Sequence, residues 1–282
     1  MPNTDQFKMY EHPDRQFAAI ETCIYCGSKD SLTREHIVPY SAGGRWVLPK
    51  ASCSRCAKVT GKFEGEFART ILGPLRMLYQ FPTRRPKERP KHLPLKVKYK
   101  QDSDWEEAFV DRELCPFLIG LPLYPEPSII SGSTEGSAQG AATKALWIRG
   151  ANFWPDKDAQ LEFLCRLLRA HAVMPSASIC TEPYCLTIAK VAHAYAVSQL
   201  GLDGFEPFLL DMIRNGNMTR RSELLGGGRG DETPQECLHD LNIVKESGAD
   251  PDLITVHVRL LANFGTPSHR VVVGTKIKAR EN

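Results

Sequence analysis

Apolar and polar positions repeat with two different periods along the chain. From Cys56 to Leu72 they follow a helical spacing, with Thr60, Phe63, Phe67 and Ile71 on one face, and Gly73-Pro74 closes the helix. Ahead of it, Thr33–Val38 and Trp46–Leu48 read as two short strands flanking the Gly43-Gly44 turn. LPLKVKYK, residues 93–100, alternates Leu93, Leu95, Val97 and Tyr99 with Lys96, Lys98 and Lys100, the pattern of a half-buried strand with a lysine face. Helical spacing returns over Asp158–Ala172 and over Leu186–Leu200, where Gly201 is the expected C-cap, and a third short helix is expected over Phe205–Ile213. The last 50 residues change period again. CLHDLNIVK, LITVHVRLLANF and HRVVVGTKIK alternate as strands, and residues 264–268 supply a hairpin turn between the last two.

Between these elements lie segments without periodicity. FPTRRPKERPK, residues 81–91, is proline-rich and basic and reads as an extended linker. Residues 125–145 and LGGGRGDE, residues 225–232, read as loops; the second lacks the Gly-Lys-Ser/Thr of a phosphate loop. Of residues 1–19, Phe7, Tyr10 and Phe17 are expected to pack on the cysteine-bearing segment at residues 20–70. The chain is expected to be an α+β protein in three parts: residues 1–80, a basic linker and strand at 81–100, and an α+β domain at 101–282 that ends in an antiparallel β-hairpin.

Charge separates the same parts. Residues 1–100 carry 19 Lys and Arg against 9 Asp and Glu, net +10; residues 101–282 carry 17 against 24, net −7. A basic half suits a polyanion, because phosphate contacts supply most non-specific affinity. No run approaches 18 apolar residues, and the polar start MPNTDQFKMYEHPDR is unlike a secretory signal, so a soluble cytoplasmic protein without a membrane partner is expected.

The candidate chemistry lies between residues 20 and 70. Cys23/Cys26 and Cys53/Cys56 are two Cys-x-x-Cys pairs, a spacing that lets four thiolates surround one Zn²⁺. The other cysteines, Cys115, Cys165, Cys180, Cys185 and Cys237, are odd in number and irregularly spaced, which predicts reduced thiols. Between the pairs stands Glu35-His36-Ile37-Val38-Pro39, then the glycine turn. Histidine titrates near neutrality and suits a general base, and a carboxylate beside it suits a cation. On a regular strand their side chains point to opposite faces unless the strand is bulged or ends there, and Pro39 with the glycines favours an early strand end. His193, on a helix of small residues, is expected to be a packed histidine, and His239, His257 and His269 are expected on neighbouring strands of the C-terminal sheet.

Cys-x-x-Cys, an acidic residue with His ahead of Ile-Val-Pro, a glycine turn, a short strand and a second Cys-x-x-Cys resembles the zinc-stapled HNH endonucleases over residues 20–70. The resemblance implies a ββα-metal unit for residues 1–80, with His36 as general base, Glu35 as ligand of a catalytic Mg²⁺ or Mn²⁺ apart from the structural Zn²⁺, and DNA as substrate. The pattern is incomplete. No Asn occurs in Arg45–Leu48, and Ala57 and Gly61 stand where the family carries ligands. Glu64, seven residues after Ala57, is the candidate to complete the site. Arg45, Lys96, Lys98 and Lys100 are the candidate nucleic-acid contacts, and a homo-oligomer through the C-terminal domain is a further candidate partner. Two alternatives stay open: a zinc-containing nucleic-acid-binding module whose nuclease site has decayed, and an interaction scaffold with purely structural zinc.

Overall fold

A computed structural model of the chain describes residues 12–83, 86–132, 145–179, 181–227, 233–245 and 250–277. Phe7, Tyr10, Arg84, Arg85 and Cys180, with most of the 125–145 loop and of the glycine-rich 225–232 segment, lie outside the described residues.

The first unit is a β-hairpin followed by a helix. Strands β1, Leu32–His36, and β2, Trp46–Cys53, pair antiparallel, and Arg15–Gln16 adds a short parallel edge to β2. The hairpin turn depends on its glycines. Gly43 has φ +88, and a Cβ on Gly44 would stand 2.0 Å from the Val38 carbonyl oxygen. Helix α1, Ser54–Thr70, starts directly at the end of β2, so Cys53 and Cys56 share one corner. Cys56, Thr60, Phe63 and Phe67 form its buried face, as the spacing predicts. Helix α2, Gly73–Leu78, follows with Pro74 in its first turn.

Two small three-stranded sheets come next. In one, β3 (His92–Lys98) lies between β4 (Glu106–Asp111) and β7 (Ala172–Met174); in the other, β5 (Phe117–Leu123) lies between β6 (Ala145–Ala151) and β8 (Ser176–Ser178). Helix α3, Lys157–Leu168, is capped by Asp156, whose carboxylate accepts from the Ala159 amide at 3.0 Å. The last sheet has the order β9 (Phe205–Pro207), β13 (His269–Lys276), β12 (Leu253–Leu260), β11 (His239–Val244), and β10 (Leu225–Gly226) also pairs with β13. The β12–β13 hairpin is the one its alternation predicts. Phe205–Pro207 is strand rather than helix, and only Leu210–Asn215, α5, is helical.

Helix α4, Thr181–Leu200, is the axis of the molecule. Every residue from Pro183 to Val197 is buried, because α4 packs on α1 on one side and on β12 and β13 on the other. A helix buried all round has no solvent face to offer, and its polar side chains, Lys190 and His193 among them, need partners inside the protein. One continuous apolar core therefore runs from Ile37, Leu48 and Phe67 through Ile188 and Val191 to Val256 and Val272. Leu93, Leu95, Val110, Cys115 and Leu164 form a separate small cluster under β3 and β4. Among the described residues no helix is long and apolar enough to cross a membrane.

Candidate HNH site

The four cysteines converge. Their Sγ atoms all lie within 4.8 Å of one another, with Cys26 and Cys53 at 3.6 Å, close to the about 3.8 Å edge of a tetrahedron with Zn–S bonds of 2.3 Å. The first pair sits on a tight turn in which the Gly27 amide donates to the Cys23 carbonyl and Gly27 takes φ +74. The second pair sits at the β2–α1 corner. A fixed turn and a fixed corner hold the thiols in place, so the site could hold Zn²⁺, and among the described residues it is the one such cluster.

Glu35 lies at the inner face of the hairpin, opposite Leu48, and His36 follows opposite Val47. Between Thr33 and Glu35 the register shifts, with Arg34 on β1 set against Pro49, Lys50 and Ala51 on β2, and β1 ends at His36. The His36 ring packs 5.3 Å from that of Tyr40, which is exposed. Glu35 is buried.

Residues 23–71 match the family model of HNH endonucleases. The match covers the first cysteine turn, the hairpin and α1, and the rest of the chain lies outside it. No curated protein and no solved structure gives a significant match.

Inside the HNH segment, Glu64 reaches Glu35 from α1. The two carboxylates predicted to share a cation do share one, and it is the ammonium of Lys190. Its Nζ lies 2.6 Å from Glu35 Oε1 and 2.7 Å from Glu64 Oε1, which puts these two oxygens at most 5.3 Å apart. Lys190 is 0% exposed, against 7% for the Glu35 side chain and 19% for Glu64. Nζ also donates to the main-chain carbonyl of His36 and, at 3.4 Å, to that of Ile37. Burial alone would drive the lysine neutral, but Glu35 and Glu64 outweigh it and raise its pKa above the usual value. Burial pushes the Glu64 carboxyl up; Lys190 opposes the shift, and the Glu35 charge adds to it. The Tyr25 hydroxyl, raised by burial and then by the charges of Glu35 and Glu64, has no hydrogen-bond partner among the described residues.

Zn²⁺ fits its four thiols. A second, divalent ion does not fit the carboxylate pair as it stands, because the ammonium already lies at hydrogen-bonding distance from both oxygens. Ala57 and Gly61 contribute no ligand atom, and a Cβ on Gly61 would meet nothing within 4 Å.

The other candidate residues scatter. Arg45 pairs with Asp14 at 3.5 Å, and its amide donates to His12 Nδ1. Lys96 and Lys98 lie on the outer face of β3, Lys96 in register with Glu107 and Lys98 5.4 Å from the Trp105 ring; Lys100 is exposed just beyond. These lysines belong to a separate sheet with its own small core, not to the sheet that carries Glu35 and His36. His193 is buried, as expected of a packed histidine, with Nε2 2.9 Å from the Ile24 carbonyl oxygen, and burial lowers its pKa to about 4. His239 lies 3.1 Å from the Ala42 carbonyl oxygen and is lowered to about 3, first by burial and then by His12. Lys190, His193 and His239 thus satisfy backbone carbonyls of the HNH unit from the C-terminal part of the chain. Sequence reasoning missed Lys190. The available signal was a lone charge in the otherwise uncharged stretch from Pro183 to Leu202, since a lysine buried in such a helix needs a carboxylate.

Proposed function

We propose that the chain binds nucleic acid, with DNA as its partner, and that its HNH unit withholds cleavage while Lys190 sits between Glu35 and Glu64. The observation that carries this reading is the seat of Lys190 itself. Phosphodiester hydrolysis needs a cation that can meet the phosphate and a base on the same side to activate water. Here the cation is a fully buried side chain of α4, fixed at the carboxylates and closed off from a phosphate. Binding needs neither. Arg34, Arg55, Lys58, Lys62 and Arg69 are exposed on the HNH unit, within a half of the chain that carries +10.

Affinity for duplex DNA is expected to fall steeply with salt, by about 0.9 logarithmic units per phosphate contact for each decade. Replacing Lys96, Lys98 and Lys100 together by Ala should flatten that slope by roughly 3 if all three meet phosphates. An unchanged slope assigns them to a solvated strand edge, and absence of binding at low salt overturns the reading.

A second reading is favoured by one observation, the meeting of Glu35 and Glu64. It is the Mg²⁺- or Mn²⁺-dependent endonuclease with His36 as base, and it requires Lys190 to leave its seat.

A further inference from the structure

We infer that Lys190 is the resident cation of the HNH unit: its ammonium stands where the Glu35–Glu64 pair would otherwise hold a divalent ion, and in doing so fastens the unit to the central helix. The inference rests on the reading that the unit withholds cleavage, and its test uses no nucleic acid, so the two can fail separately.

Three features carry it. The oxygens around Nζ are those a hard cation takes, a carboxylate from β1, a carboxylate from α1 and a main-chain carbonyl at the end of β1. They equal the three N–H bonds of an ammonium in number, although the Glu64 Oε1 contact is an ion pair by distance that falls outside hydrogen-bond geometry, and the Ile37 carbonyl is a longer fourth contact. The oxygens come from two elements of the hairpin–helix unit, whereas the cation comes from a residue 154 positions away in sequence. The unit thus brings its carboxylates together, and the central helix delivers the charge.

The second feature is exclusion. A Mg²⁺ ion sits about 2.0–2.1 Å from its oxygens, so bound to this pair it would overlap the volume held by Nζ, and the two like charges would repel. Lys190 and a divalent ion are therefore alternatives. The third is the poverty of the rest of the donor set. With Ala57 and Gly61 on α1, two carboxylates are all that the side chains supply, so a divalent ion would keep most of its waters and competes poorly with a tethered ammonium, although it can take the pair once the ammonium is gone.

The test is a Mn²⁺ titration of zinc-loaded protein, read by calorimetry and by the electron paramagnetic resonance of free Mn²⁺. The wild type is expected to take up no Mn²⁺ at this site. Lys190→Ala, which removes the ammonium and leaves room, is expected to bind one Mn²⁺ per chain at least tenfold more tightly than the wild type. Lys190→Ala combined with Glu64→Gln should lose that ion again. Lys190→Met keeps most of the stem packing and serves as the second variant if the alanine protein does not fold. Two results overturn the inference: a wild type that binds one Mn²⁺ as tightly as the lysine variants and loses it on Glu35→Gln, or a folded lysine variant that binds none. The wild-type arm with Glu35→Gln decides even if both lysine variants are unfolded, because a Glu35-dependent ion in the wild type contradicts a resident ammonium and its absence supports one.

Discussion

Lys190→Met is expected to destabilise the folded chain by about 3 kcal/mol at pH 8, because removing one partner of a buried ion pair leaves the others uncompensated. For a chain of this size that corresponds to a fall in Tm of roughly 6–12 °C. The methionine keeps the stem that packs inside α4, so the loss reports the charge. Its pH dependence has a definite sign. In the wild type the lysine pKa is raised by folding, so its contribution is fully present below its ordinary value of 10.5 and is lost only as pH rises through the higher folded value. In the variant, Glu64 loses the Lys190 charge that opposed its burial shift. Burial, which already raises the Glu64 carboxyl, is then unopposed, and the cost is relieved as pH falls and Glu64 takes up a proton. The gap between the two proteins should therefore shrink from pH 8 towards pH 5. Glu64→Gln should cost far less than Lys190→Met at neutral pH, since burial already opposes ionisation of Glu64 and the amide oxygen can still face Nζ. Equal stability of wild type and Lys190→Met at pH 8, measured by urea unfolding, would remove the ion pair as a structural element.

Loss of zinc is the second large effect. Structural zinc sites contribute on the order of 10 kcal/mol in small isolated units, and here the four thiols that could hold Zn²⁺ join the first turn to the β2–α1 corner. Replacing Cys56 by Ser should release the metal and expose the amides of residues 20–72 to hydrogen exchange. The exposure should spread into α4, because His193 is held by the Ile24 carbonyl and Lys190 by those of His36 and Ile37. Exchange confined to the zinc turn, or freshly purified reduced protein without zinc, contradicts this account.

Much of the HNH unit was legible in the sequence because its signals are local. Cys-x-x-Cys spacing fixes which thiols can meet, and Glu64 follows from helical periodicity on α1. The β12–β13 hairpin shows in the strict alternation of Ile254, Val256, Val258 and Leu260. What escaped depends on contacts distant in sequence. Phe205–Pro207 is a strand because it lies against β13 at Gly274, where a Cβ would stand 2.0 Å from the Glu206 carbonyl oxygen, and nothing in its own residues announces that partner. Helix α4 begins at Thr181, five residues before the expected start, since Pro183 is tolerated in a first turn. Lys190 escaped for the same reason as Phe205–Pro207: only the packing of α4 on α1 shows which carboxylates it meets.

The most direct measurement is the conversion of supercoiled plasmid by zinc-loaded wild-type protein in Mg²⁺ or Mn²⁺, under low salt where the DNA is bound, beside His36→Ala. With Lys190 seated between the carboxylates, bound plasmid is predicted to stay supercoiled, and wild type and His36→Ala to be indistinguishable. Nicking that needs the divalent ion and falls by roughly 10²-fold or more in His36→Ala would contradict this and show that Lys190 yields its place to a metal.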